Sequence, residues 1–218
     1  MISINSSSLP PIFQLVIHWG PFVILLLILS IASLTIIFQR ALALRSSAVI
    51  PPELKQALHT FEQSSSLGEL YQMIKKSDSP LSRVLTTLLA HRDWPRIEAL
   101  DAVQVRARHE IARLEEGLTL LEITTGIAPL LGLLGTLSGL VGIFANLGDK
   151  GDPQMVALGI SEALNSTILG LAVAVPSLVA FHFFSRRIEV IAIDMEALSA
   201  ELVTKLYLSQ EMQAAAIS

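Results

Sequence analysis

The sequence predicts an all-α membrane protein: three transmembrane helices, with long helices extending from them into the cytoplasm. Charged residues make up only 16% of the 218 residues, against roughly 25% in ordinary soluble domains. Mean hydropathy is +0.61. Residues 20–38, 123–147 and 163–185 carry no Asp, Glu, Lys or Arg, and each reaches the roughly 20 apolar residues a helix needs to cross about 30 Å of hydrocarbon. Backbone amides in lipid must pair internally, so each stretch is read as a helix and not as a strand.

Residues 1–19 hold no Lys or Arg and lack the positive leader and short apolar core of a cleaved signal peptide. Residues 12–19 place Phe13, Leu15, Val16 and Trp19 at helix-compatible spacing. They form either a helix lying in the outer interface, with Trp19 in the aromatic belt, or an extension of the first span. The first span covers 20–39. Arg40 and Arg45 follow it, and residues 40–122 hold eleven of the fifteen Lys and Arg. The excess of positive charge sets that segment in the cytoplasm and the N-terminus outside.

The cytoplasmic segment 40–122 reads as helical throughout. Pro51-Pro52 opens a short amphipathic stretch, which Ser64 to Ser66 and Gly68 break. A second ends at Asp78-Ser79-Pro80, and a third runs over 81–91. Asp93 is a candidate N-cap with Pro95 near the first helical position. No breaker appears before Gly117, so one helix is then expected from Arg96 straight into the second span, 123–147. A short outer loop, 148–153, follows, where Gly148-Asp149-Lys150-Gly151-Asp152 reads as a solvated turn. Asp152 and Pro153 suit the start of the third span, 154–185. In the tail, 186–218, Ile188, Ile191, Met195, Leu198, Leu202 and Leu206 form a heptad-like stripe. Packing with further copies of the chain would bury it, so an oligomer is expected.

Several classes are excluded. Cysteine is absent, removing disulfides, thiolate metal sites and cysteine nucleophiles. His18, His59, His91, His109 and His182 are dispersed, and no catalytic elbow or metal motif is present. No catalytic residue, metal or cofactor is therefore expected. A net charge of −4 without a basic run gives no reason to expect nucleic acid.

The polar residues of the second and third spans carry what chemistry there is. Gly132, Gly135, Gly139 and Gly142 recur on one helix face, as close helix packing in lipid requires. Pro129 removes one backbone hydrogen bond from the same helix. On the third span Glu162, Ser166 and Gly170 share a narrow face, with Asn165 and Thr167 beside it. Counting about 1.5 Å per residue, Thr136 and Thr167 lie at similar depth, within about one turn. Each threonine alone is accounted for by bonding its own helix; as a pair with Glu162 above, they suit a polar path. Ionised carboxylates in hydrocarbon are costly and tend to mark ion pathways. No titratable group lies near the middle of any span, so a proton crossing here needs a carboxylate from another chain.

The run IAPLLGLLGTLSGLVGIF resembles the second span of the ExbB/TolQ/MotA family, with its A-P-x-x-G-x-x-G-T-x-x-G pattern. ISEALNSTILGLAVAVPSLVAFHFF resembles the third span, with E-A-L-x-x-T-x-x-G-L-x-x-A-x-P ending on Pro176. Together they cover roughly residues 95–190. Three spans with a large first cytoplasmic loop are most like ExbB or TolQ, since MotA has four. The resemblance implies a pentamer in the bacterial inner membrane whose second and third spans line a central pore. Thr136 and Thr167 then match the pore threonines, and Glu162 the family's acid. It also implies a single-span partner of the ExbD/TolR type supplying an aspartate, and a TonB- or TolA-like periplasm-spanning protein driven by proton flow. Asn165 departs from the apolar residue usual in ExbB. A MotA-like motility stator and a non-conducting membrane scaffold are the alternatives.

Overall fold

A computed structural model describes residues 11–61, 67–145 and 153–217. Among them there are eight helices and no strand: α1 (Pro11–Ala43), α2 (Ser46–Val49), α3 (Pro52–Thr60), α4 (Leu67–Lys76), α5 (Pro80–Ala90), α6 (Arg96–Glu115), α7 (Leu118–Ala145) and α8 (Pro153–Ile217). The fold is that of an all-α membrane protein. Three helices are long and apolar enough to cross a bilayer, over Pro21–Ala43, Leu118–Ala145 and within Pro153–Leu208. The Gly148 to Asp152 turn, the Asp152 cap and the side chain of Trp19 lie outside the described residues.

Two compact units divide the chain. The first comprises the described parts of 1–38 and 117–182; the second comprises those of 39–116 and 183–218. The first unit is apolar outside and small or polar inside. Ile31, Phe38, Leu130, Val141, Ile168 and Val179 are exposed, whereas Ala128, Gly132, Thr136, Ser166 and Gly170 are buried. Water would not tolerate such a surface, and lipid requires it, because helices there gain from close approach and not from hiding leucine. Leu26 of α1 closes a small cluster with Ala128 and Ala174.

The second unit is built the opposite way. Leu58, Ile74, Leu81, Val84, Leu85 and Leu88 form a fully buried core. Ser79 caps α5, accepting the Ser82 amide at 3.2 Å, and Pro80 occupies the first turn, where no amide partner is missed. The α8 stripe of Ile188, Ile191, Met195, Leu198, Leu202 and Leu206 is buried too, none more than 5% exposed. It is covered within the chain itself: Arg187 Nε donates to Leu44 O at 2.6 Å, Lys205 Nζ to Leu58 O at 2.7 Å and Tyr207 to Trp94 O at 2.8 Å. Further copies are not needed to cover this stripe, contrary to the sequence expectation.

Three smaller expectations also change. α3 and α4 are separate as expected, but Gly68 takes no part in the break: it lies in the first turn of α4. Asp93 does not cap α6, whose N-cap is Pro95 with no side-chain bond. Nor does one helix run from Arg96 into the second span: α6 ends at Glu115, and Gly117 adopts φ 81° before α7 begins. That left-handed conformation is open to glycine at little cost. The carbonyls α6 leaves unbonded at this end are met by Arg40, whose guanidinium donates to Leu114 O at 3.3 Å.

Candidate functional site: the α7–α8 seam

Small residues let α7 and α8 approach until backbones touch. A Cβ on Gly132 would meet Ser166 O at 2.9 Å, and one on Gly170 would meet Ala128 O at 2.6 Å. A Cβ on Gly135 would overlap the Ser166 hydroxyl, and one on Gly139 would meet Ala163 Cβ at 3.0 Å. Gly142 behaves differently: a Cβ there meets nothing within 4 Å. The close seam therefore involves Gly132, Gly135 and Gly139, but not Gly142. Pro129 and Pro176 lie inside α7 and α8, which continue through both.

This proximity brings Thr136 and Thr167 together. Their hydroxyl oxygens lie 2.6 Å apart. The Thr136 hydroxyl is also within reach of Ala163 O across the seam at 3.1 Å and of Gly132 O on its own helix at 3.2 Å. Thr136 is 7% exposed, while Thr167 is half-buried and is the member of the pair nearer the open face of the helix pair. Glu162 and Asn165 are exposed on α8, less than two turns from Thr167. Ser166, one turn from Glu162 on the same face, is buried against Gly135. The structure thus unites Thr136, Thr167 and Ser166 at one level and sets Glu162 and Asn165 on the surface beside them. A cavity of about 190 Å³ lies between the helices, reached by Glu162, Asn165 and Ser166.

Sequence reasoning did not single out Ala163, Ala174 or Ala128 for packing, nor Phe22 and Leu26 from α1. The alanines recur with the glycines at helical spacing, which was the available signal. It also missed Gly159, where a Cβ would meet Ile143 at 2.7 Å. Nor did it find the buried ion cluster of the second unit. There the Glu110 side chain is wholly buried and lies 2.7 Å from Arg83 Nη2 and 2.8 Å from Arg106 Nη2. Burial works to raise the Glu110 pKa, but bonds to Arg83 and the charges of Arg83, Arg106 and Arg113 prevail and hold it below the usual range.

The sequence model of the MotA/TolQ/ExbB proton channel family matches residues 76–197, more than half of the chain and all of the seam. The chain belongs to this family. The biopolymer transport protein ExbB of Neisseria meningitidis serogroup A is 27% identical over 203 residues, covering 84% of this chain and 89% of that protein. An ExbB-like protein of Synechocystis is 33% identical, covering 72% of this chain and 64% of its own length. An ExbB homolog of Methanothermobacter thermautotrophicus is 32% identical, covering 66% and 51% respectively. Within its family the chain is most like ExbB. It is a multi-pass membrane proton-channel subunit of the ExbB type and not an enzyme.

Proposed function

We propose that the chain is the stator of a proton-driven machine in the bacterial inner membrane, with its N-terminus periplasmic and its C-terminus cytoplasmic. Five copies surround a pore lined by Thr136, Thr167, Glu162, Asn165 and Ser166. A single-span partner of the ExbD/TolR type brings an aspartate into that pore, and a TonB- or TolA-like protein carries the resulting motion across the periplasm. The supporting observation is the Thr136–Thr167 hydroxyl pair at 2.6 Å, with Glu162 and Asn165 exposed nearby.

A hydroxyl pair cannot titrate, but it can hold a charged carboxylate by hydrogen bonds and release it when that carboxylate is protonated. A proton entering beside Glu162 neutralises the partner's aspartate at the threonines and leaves toward the cytoplasm. The freed partner helix then rotates or shifts. Each charge crossing 100 mV yields about 2.3 kcal/mol, comparable to one or two hydrogen bonds.

Glu162→Ala and Thr167→Val are expected to abolish energised uptake or envelope function in cells while oligomers persist. Full activity in both variants would remove the pore reading. A non-conducting scaffold is the second reading, favoured by the tight glycine contacts. It predicts that Thr167→Val is silent while Gly132→Leu prevents assembly. A MotA-like motility stator would instead lose motility in the Thr167→Val variant and leave uptake intact.

A further inference from the structure

A helix lying on a water-soluble core is apolar on the face it buries and polar on the other. In the second unit α8 is apolar on both. Opposite its buried stripe, Val190, Ile193, Ala197, Ala200, Thr204 and Leu208 are all exposed, and helical geometry gathers them in a sector of about 80°. Ile193 is 60% exposed, and the Thr204 hydroxyl is taken up by Ala200 O at 2.9 Å. Asp194 and Glu196 flank this second stripe and are exposed, whereas the ion pairs of α8 use Glu189 and Glu201. α6 has a bare face of similar width. Ile97, Asp101, Gln104, Val105, Arg108 and Ala112 share one side of it and are exposed, Ile97 by 75%. The ion pair within α6 joins Arg106 to Glu110 and leaves Arg108 out.

We propose that the bare face of α8 docks on the bare face of α6 of a second copy, with Arg108 against Asp194 and Glu196. The register follows from bonds at the two ends of the unit. Tyr207 donates to Trp94 O at one end. At the other, Arg40 donates to Leu114 O, and Arg187 to Leu44 O, one turn along α1 from Arg40. Twenty residues separate Trp94 from Leu114, and twenty separate Arg187 from Tyr207. α6 and α8 therefore run in opposite directions over the same depth. Copies related by an axis along the membrane normal share that depth. Ile97 of one copy then falls level with Thr204 of the next, Gln104 with Ala197, and Arg108 with Ile193, beside Asp194 and within one turn of Glu196. Asp101, the one acid among the six α6 residues, falls level with Ala200, beside the Lys205–Glu201 pair. Small side chains at Ala197 and Ala200 let the facing helix come close. An α8 pairing with another α8 at common depth would set Asp194 against Asp194, and like charges oppose that. The contact rests on the proposed ring of copies and adds to it a joint in water, remote from the seam.

The chain contains no cysteine, so Gln104→Cys and Ala197→Cys place unique thiols on the two faces while keeping every charge. The full chain is purified in detergent and treated with a short bis-maleimide. The double variant should be linked between copies into a ladder of masses ending at the whole ring. The two single variants expressed together should give dimers and nothing larger, and each expressed alone should stay monomeric in mass. Arg108→Asp in the double-cysteine chain should slow linking by about threefold or more, and adding Asp194→Arg should restore it. Dimers from Ala197→Cys alone, links confined to one chain or running to the single-span partner, or no links at all would each overturn the docking. Native mass of the unsubstituted assembly separates the two readings: a ring without the ladder removes this contact alone, whereas a lone chain removes the ring with it.

Discussion

Thr136 sits where two backbone carbonyls and the Thr167 hydroxyl converge, and its neighbours decide what each substitution there does. Thr167→Val leaves Thr136 bonded to Ala163 O and Gly132 O, so it should cost less than about 1 kcal/mol of stability. Thr136→Val removes every one of those contacts from a buried site and should cost about 1–2 kcal/mol, measured by thermal unfolding in detergent. The two variants thus separate conduction from packing. The glycines can be ranked in the same way. Gly170→Ala drives a methyl onto Ala128 O and Gly132 Cα, with an expected loss of about 1–3 kcal/mol. Gly126→Ala meets nothing within 4 Å and should stay within about 0.5 kcal/mol of the parent. Equal effects of these two alanines would mean that α7 and α8 do not meet as described. Counting residues along the helices sufficed to put Thr136 and Thr167 at one depth. It could not tell that Ser166 turns toward Gly135 while Asn165 faces out, because rotation about a helix axis is set by the partner helix.

At the scale of elements, the break between α6 and α7 was invisible in the hydrophobic pattern, which continues through it. A single glycine in the left-handed region makes it, and Gly117 alone looks tolerable inside a helix. Gly117→Ala should cost about 1–2 kcal/mol, the penalty for an L residue in that conformation, and should speed amide exchange around 114–120. The tail stripe was legible as apolar periodicity, but not its covering: one helix's pattern shows that a face is buried, not which element buries it. The α5–α6 ion cluster gives a dependence on pH. The Glu110 pKa is lower in the folded than in the unfolded chain, so its stabilisation is complete above the ordinary glutamate value of about 4.3 and is lost as pH falls through the folded value. Glu201 acts in the same direction, its carboxylate held ionised by Lys205 and then by His59, against the opposing effect of burial. Thermal unfolding of the second unit should therefore weaken steeply in acid below about pH 4. Glu110→Gln should flatten that acid limb and lower stability at neutral pH by about 2–3 kcal/mol, since Arg83 and Arg106 stay partly solvated once the carboxylate is gone. An unchanged acid limb would place the pH sensitivity elsewhere.

For the whole molecule, membrane class, helical fold and family were all legible, because charge scarcity, span length and the two-helix glycine–threonine pattern survive without knowledge of any contact. Assembly was argued from the tail stripe, and that ground fails, since the chain buries the stripe itself. A stronger ground comes from the first unit. Glu162 and Asn165 are exposed on a helix otherwise surrounded by exposed Leu158, Leu164 and Ile168. A carboxylate and an amide facing acyl chains would each cost several kcal/mol at depth, so this face must meet water or another chain. Among the described residues the α7–α8 face carries both groups and no opposite charge for Glu162, so the proposed ring of copies would place both on a hydrated centre. Native mass measurement of the purified assembly should then give five copies of the 23.6 kDa chain together with the single-span partner. Vesicles holding the chain without that partner should pass no protons above background, because no acid lies near the middle of its spans. A lone monomer by mass, or flux that did not need the partner, would leave Glu162 and Asn165 to be explained by some other contact and would end the case for a shared pore.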